Sequence, residues 1–431
     1  MATSADCRWN DDFFKKDTPH GLVKRFMWKR HVQTFIAMTQ RQFLSNKTII
    51  FDGFAGAGRY GSENEWPDEI EKYGSPLISL RAAINLYGRR FERRTETNRY
   101  TFNPDRVISD LSTDISYNCD FHGFHDEKIR LFFVERNKKN YKKLVKNVIT
   151  LFMKYDVEVI TSKNGNEIFV KSNDENIPVG CKITNASFEN VEVPEMDWRD
   201  NMASFIDPYG YTQIPMEKIK EFTGRNKDVF INLMSQHINR FKNIRKDGLE
   251  KLFGFGYDSI LERLERYEGG TIEKVAKLYI DVLEEQIGDQ FHLSFEMLNK
   301  GNVPLYHMIF ASSHFKRLNS MKEAMNRGTQ SQDAFSLSDY LIVEKKQPLS
   351  LKNDQDDGNV ADKIYEEFKG KQNVCIGDIK NFIMHKTNFV WRKTPLKILE
   401  VERRLMKCVY TNKKRRIKGT YPHRYKYTFD F

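Results

Sequence analysis

Cysteine is scarce in this chain of 431 residues, with five scattered at Cys7, Cys119, Cys181, Cys375 and Cys408. An odd, dispersed set excludes a disulfide framework and points to a reducing cytosol. No run of about 18 apolar residues occurs, so no membrane-spanning helix and no membrane partner are expected. Met1 to Asn10 lacks the apolar core of a secretion signal, which makes a cytoplasmic location the expectation. Internal repeats and long low-complexity tracts are missing too. What is present suits folded domains. Hydrophobic residues make up 39% and aromatics 13%, which excludes a disordered chain. The length suggests roughly two to three domains.

The positive charge is concentrated at one end. From Val401 to Phe431 ten basic residues face only Glu402 and Asp430, so this tail holds eight of the eleven net charges. The densest run is Lys413, Lys414, Arg415 and Arg416. Such a surface attracts phosphate backbones through counterion release.

Apolar patterning sets the organisation. Residues 1–45 read as an N-terminal helical leader. Strands are expected at Thr48–Phe51, Leu131–Val134, Val157–Ile160, Glu167–Lys171, Ala203–Ile206 and Val229–Leu233, with helices between them. Phe291–Met297 and Leu305–Phe310 form a late hairpin around Lys300-Gly301-Asn302. Residues 46–327 therefore predict a doubly wound α/β domain with insertions at about 89–128 and 242–288. A polar linker spans 328–358. Residues 359–431 predict three helices, the third starting at Thr394-Pro395 and running through Leu405. Two strands around a basic turn follow, the pattern of a winged helix-turn-helix that docks nucleic acid, DNA or RNA.

Two motifs carry chemistry. Asp52-Gly53-Phe54-Ala55-Gly56-Ala57-Gly58 ends the first strand in a glycine loop, where missing side chains let a ligand approach backbone N–H groups. Gly56 to Gly61 also fits the dinucleotide pattern G-x-G-x-x-G. No carboxylate lies about 20 residues on, however, as the ribose contact requires. No Gly-Lys-Ser/Thr follows, which excludes a P-loop. The better match is S-adenosylmethionine. Asp52, Gly53, Phe54, Gly56 and Gly58 form its loop, and Glu135, at the tip of Leu131–Val134, accepts from the ribose hydroxyls.

The second motif is Asp207-Pro208-Tyr209-Gly210, at the carboxyl end of Ala203–Ile206 and facing the crevice of an open sheet. Methylating an exocyclic amino group requires its lone pair to be freed from ring conjugation. Asp207 and the Pro208 carbonyl would accept its N–H bonds while Tyr209 or Tyr211 stacks on the base. Asn232 either lines the crevice or caps its strand. Cys119, His122 and His125 have no fourth ligand beside them, and no metal is expected.

Over residues 18–326 the chain resembles the three-Cys-motif partner (TcmP) family. The resemblance lies in Thr18-Pro19-His20 with Lys24, the glycine loop, Gly74-Ser75-Pro76-Leu77, Phe133-Val134-Glu135, Ile206-Asp207-Pro208-Tyr209-Gly210, Ile231-Asn232 and Leu305–His314. It implies a Rossmann-like class I methyltransferase fold, in some members ending in a winged helix, and a partner similar to radical S-adenosylmethionine enzymes. The Asp-Pro-Tyr-Gly stretch departs from the Asp-Pro-Pro-aromatic pattern of amino-methyltransferases. Two functions follow as expectations: a nucleic-acid methyltransferase, or a catalytically silent methyltransferase-like scaffold that binds nucleic acid beside that partner.

Overall fold

The computed structural model describes residues 19–40, 47–60, 72–88, 128–155, 157–174, 177–241, 245–288, 291–299, 303–329, 336–338, 356–410, 418–421 and 427–431. Its centre is a ten-stranded sheet in the order β10-β8-β9-β7-β6-β1-β2-β5-β4-β3. The parallel middle comprises β1 (Thr48–Asp52), β2 (Ile129–Val134), β5 (Val179–Thr184), β6 (Asn201–Ile206) and β7 (Lys227–Leu233). Every residue of β1 and β6 is buried, as expected of strands covered on both faces.

On one flank, β9 (Pro304–Ser312) inserts antiparallel between β7 and β8 (Phe291–Leu298). A three-residue strand, β10 (Ser336–Ser338), closes that edge. On the other flank the antiparallel β3 (Val159–Asn164) and β4 (Glu167–Ser172) extend the sheet. The strand order β5-β2-β1-β6-β7 with a reversed β9 before β8 matches the Rossmann-like methyltransferase sheet expected from the sequence. The chain winds outward from β1 through β2 to β5, then returns to lay down β6 on the other side. The β1/β6 boundary is thus the topological switch point, where an open α/β sheet leaves a crevice beyond its carboxyl ends.

Helices cover both faces. The helices Pro19–Gln40, Ser75–Gly88, Lys138–Lys154 and Phe315–Gly328 share one core with the sheet. Helices within 216–287 share the other. The expected leader is in fact part of the first layer. Val23, Phe26, Trp28, Val32 and Phe35 are fully buried, and so, nearly, are Arg25, Lys29 and His31. Arg25 lies over the Tyr60 ring, and Arg317 lies over Phe35. Such contacts bury the alkyl stems of cations while their heads keep partners.

The last part of the chain has its own core and runs helix, strand, helix, helix, strand, strand. Helices Asp357–Phe368 and Ile376–Lys386 cover the helical patterns of Val360–Phe368 and Ile376–His385 and run slightly past them. The third is shorter: Thr394–Lys397 continues only as a π turn over Ile398–Glu402. Arg404 then takes a left-handed φ of 56°, which ends the helix before Leu405. β11 (Val374–Cys375), β13 (Tyr427–Asp430) and β12 (Lys407–Tyr410) form a small sheet. This unit docks on the Phe315–Gly328 helix. Lys322 Nζ, fully buried, donates to the carbonyls of Ile383 (2.6 Å), Met384 (3.2 Å) and Thr387 (2.5 Å) at a helix C-terminus. Trp391 N donates to Asn319 Oδ1 at 2.9 Å.

Candidate functional site at the carboxyl edge of the sheet

The glycine loop is held by bonds that only a close-packed backbone can make. Asn147 Nδ2 donates to the Ala57 carbonyl (2.8 Å) and Gly74 N to the Gly58 carbonyl (2.8 Å), tying the loop to two helices. Gly58 has φ +82°, and a Cβ there would stand 2.8 Å from Leu144 Cδ1. At Gly53 a Cβ would meet Phe188 Cδ2 at 2.7 Å. Both positions therefore need glycine, one for conformation and packing together, the other for packing.

Beside the loop lies a cavity of about 300 Å3 lined by Gly53, Phe54, Glu135, Phe188, Tyr209 and Gln213, among others. Its charged lining is Glu135, Arg136 and Glu189, and Asp52 and Asp207 stand at the neighbouring strand ends. Asp52, at the end of β1, is fully buried; Oδ1 accepts from Phe54 N at 3.1 Å, and Oδ2 has no partner. Burial pushes its pKa up to about 7, opposed by the nearby Ser75 hydroxyl and by Phe54 N, with the Asp207 and Glu135 charges adding to the rise. Glu135 Oε1 accepts from Asn137 N at 2.6 Å. Burial raises the Glu135 pKa, opposed by the Asn137 and Gly56 amides.

Asp207 ends β6. Its Oδ2 accepts from Lys24 Nζ at 2.5 Å and its Oδ1 from Asn232 Nδ2 at 2.7 Å. Lys24 comes from the N-terminal helix, and Tyr306 of β9 stands behind it, its ring centroid 6.0 Å from Nζ. Burial works against the Lys24 charge, but Asp207, Tyr306 and Tyr60 outweigh it and raise the pKa. Asn232 Oδ1 is buried without a partner. Tyr209 N donates to Gln213 Oε1 at 3.1 Å. Its hydroxyl is pushed above the usual range by burial first, then by Glu135, Asp207, Tyr60 and Asp52. β2, β1 and β6 are adjacent parallel strands, so Glu135, Asp52 and Asp207 end at the same edge of the sheet.

Of the residues singled out in the sequence, Gly53, Phe54, Glu135 and Tyr209 line the cavity, while Asp52, Gly56 and Gly58 back it. Asp207 and Pro208 stand next to it at the β6 tip. Tyr211 is different. At 3% exposure it packs with Ile214, Leu249 and Phe253 in the second core, so its ring is not available to a base. Lys413, Lys414, Arg415 and Arg416 lie outside the described residues, as do Cys119, His122 and His125.

Sequence reasoning passed over Asn185 and Phe188 because it missed β5, and over Gln213 in the short turn after β6. Asn185 Nδ2 donates to the Glu135 carbonyl at 2.7 Å and fixes the β2 tip. Lys24 figured only as part of a motif, and its partner Asp207 lies 183 residues away.

No family model matches the chain, and no curated protein does. Two solved structures share part of its architecture. One is the complex of Trm1 from Pyrococcus horikoshii with S-adenosyl-L-methionine, with TM-score 0.35 and 10% identity over 73% of this chain and 60% of that one. The chain thus spans about 60% of that structure's length. The other is protein LPL1258 from Legionella pneumophila, family-model DUF519, with TM-score 0.30 and 8% identity over 67% of this chain and 84% of that one. Likeness at that distance adds nothing to what the strand order establishes.

Proposed function

We propose that the chain binds S-adenosylmethionine and acts on nucleic acid, as a methyltransferase directed at a base amino group. The observation that carries this reading is a cavity lined by Gly53, Phe54, Glu135 and Tyr209 at the carboxyl edge of three adjacent parallel strands, whose ends carry Asp52, Glu135 and Asp207. The residues fit the cofactor on charge. It bears a sulfonium and an ammonium, and the buried, unpartnered Oδ2 of Asp52 is an acceptor that a cation would satisfy. Glu135 and the loop from Asp52 to Gly58 hold the cofactor. When bound, it supplies a methyl group activated for transfer by the positive sulfur. The chain's own part is to seat the acceptor base against Tyr209 and to accept its amino protons at Asp207 and the Pro208 carbonyl.

The C-terminal unit, with its helix, strand, helix, helix, strand, strand order, is read as a winged helix. Its basic turn holds the phosphate backbone of DNA or RNA. TcmP kinship, and a three-Cys-motif radical S-adenosylmethionine protein as partner, belong to the same reading.

A second reading has one observation in its favour. Both oxygens of Asp207 already accept hydrogen bonds, from Lys24 and Asn232. A site so occupied suits a silent scaffold that presents nucleic acid to a partner enzyme. Methyl transfer from labelled S-adenosylmethionine to total DNA and total RNA, run side by side, separates the two. Label in either pool that is lost in Asp207→Ala supports the enzyme. No label, with cofactor binding intact, supports the scaffold.

A further inference from the structure

Lys24 and Asp207 are bonded at 2.5 Å, and each side chain keeps about a fifth of its surface open, 17% and 23%. Asn232 Nδ2, 2.7 Å from the other carboxylate oxygen, fixes the plane of Asp207. An ammonium has three donors and needs only one for Asp207. The charge on Lys24 is secure, since Asp207, Tyr306 and Tyr60 overcome the cost of burying it. Tyr209, two residues on from Asp207, lines the cavity. The β6 tip therefore offers a fixed acceptor next to a fixed donor, with an aromatic ring at hand.

We propose that Lys24 and Asp207 form a two-point reader for a base edge on which an exocyclic amino group adjoins a ring-nitrogen lone pair, the edge of adenine and cytosine. The inference rests on the amino-methyl-transfer reading and names its substrate class. Asp207 accepts from the amino group while Lys24 donates to the neighbouring ring nitrogen. On the pairing edge of guanine the amino group adjoins an N–H, so a donor would meet the ammonium, and its other amino edge, with N3 as the acceptor, is flanked by the ribose. Uracil has no amino group and places a carbonyl against the carboxylate. Each mismatch leaves a desolvated polar group unpaired, which is the strongest basis for rejecting an analogue. Matched two-point contacts of this kind discriminate by about tenfold to a hundredfold. A neutral amide in place of Asp207 removes the negative charge that pairs with the ammonium and adds two donors that can turn toward the base, and an apolar residue in place of Lys24 removes the donor that separates adenine and cytosine from guanine. Lys24 is thus a specificity-determining residue contributed by a helix that the sequence alone sets apart from the catalytic domain.

The test uses the full chain with S-adenosylhomocysteine filling the cofactor cavity, and measures binding of cytidine, uridine, adenosine and guanosine by ligand-observed NMR titration. Cytidine against uridine is also measured without the homocysteine product, so a chain that fails to bind the product still reports. Cytidine and adenosine are expected to bind at least about tenfold more tightly than uridine and guanosine. Lys24→Met is expected to shrink that preference below about threefold, while Lys24→Arg, which keeps the donor charge, retains most of it. Equal binding of the four nucleosides overturns the proposal, as does a preference that survives in a folded Lys24→Met. If Lys24→Met fails to fold, loss of the preference in Asp207→Asn supports the reader and its survival there overturns it. An intact preference without methyl transfer leaves the reader standing and removes the enzyme.

Discussion

Asp52→Asn is the most informative single change at the cofactor loop. Asp52 is fully buried, and its pKa stands at about 7 against the ordinary 3.8, mainly because burial penalises the charged form. The folded chain therefore holds this proton more tightly than the unfolded chain does. Stability from that difference is fully present below pH 3.8 and is lost as pH rises through about 7. At about 1.4 kcal/mol for each pH unit in that window, the ionised carboxylate costs roughly 4 kcal/mol above neutrality. Asparagine keeps the acceptor for Phe54 N and never ionises. Urea unfolding at pH 4 and pH 8 measures the effect. The variant is expected to match the parent at pH 4 and to exceed it by a few kcal/mol at pH 8, with weaker cofactor binding. A difference that is constant across pH, or a variant less stable at pH 8, refutes the reasoning. The stability cost makes sense if a bound cation offsets it, which is the usual exchange of stability for function.

Three other changes test separate parts of the account. Gly58→Ala adds a Cβ 2.8 Å from Leu144 Cδ1 at φ +82°, and thermal unfolding should show a loss of about 2–4 kcal/mol. Lys322, buried against three carbonyls, has its pKa pushed down to about 7 by burial, so the unfolded chain binds this proton more tightly between pH 7 and 10.5. Stability should rise with pH across that window, and Lys322→Met, followed by urea unfolding, should abolish the rise. Replacing Lys413, Lys414, Arg415 and Arg416 by Ala should lower the slope of log affinity against log salt on duplex DNA by roughly 3–4, as seen in fluorescence titrations at several salt concentrations.

Much of the α/β domain was legible because strands buried on both faces read as unbroken apolar runs. Ile49–Phe51, Leu131–Val134 and Ala203–Ile206 are such runs, each followed by an acid that the parallel order brings to the same edge. β5 was not legible. Gly180 and Lys182 break its run, and only pairing between β2 and β4 makes it a strand. The N-terminal helix was misplaced because it mixes cations with apolar residues. The partners that bury those cations, Tyr60 for Arg25 and Asp207 for Lys24, come from distant segments. Tyr211 was misassigned for a related reason. Its nearness in sequence to Asp207 says nothing about direction, and the turn at Gly210 sends its ring into the second core. The third C-terminal helix was overextended because Leu399, Val401 and Leu405 keep an apolar spacing, while the left-handed Arg404 that ends it has no local signature.

The central claim is that three strand tips make one receptor for a sulfonium-bearing nucleoside. Calorimetric titration of S-adenosylmethionine into the full chain tests it most directly. One-to-one saturable binding, weakened at least about tenfold by Glu135→Ala without loss of fold, is the predicted result. A folded chain that takes up no cofactor, or a Glu135→Ala variant that binds it as well as the parent does, would contradict the account.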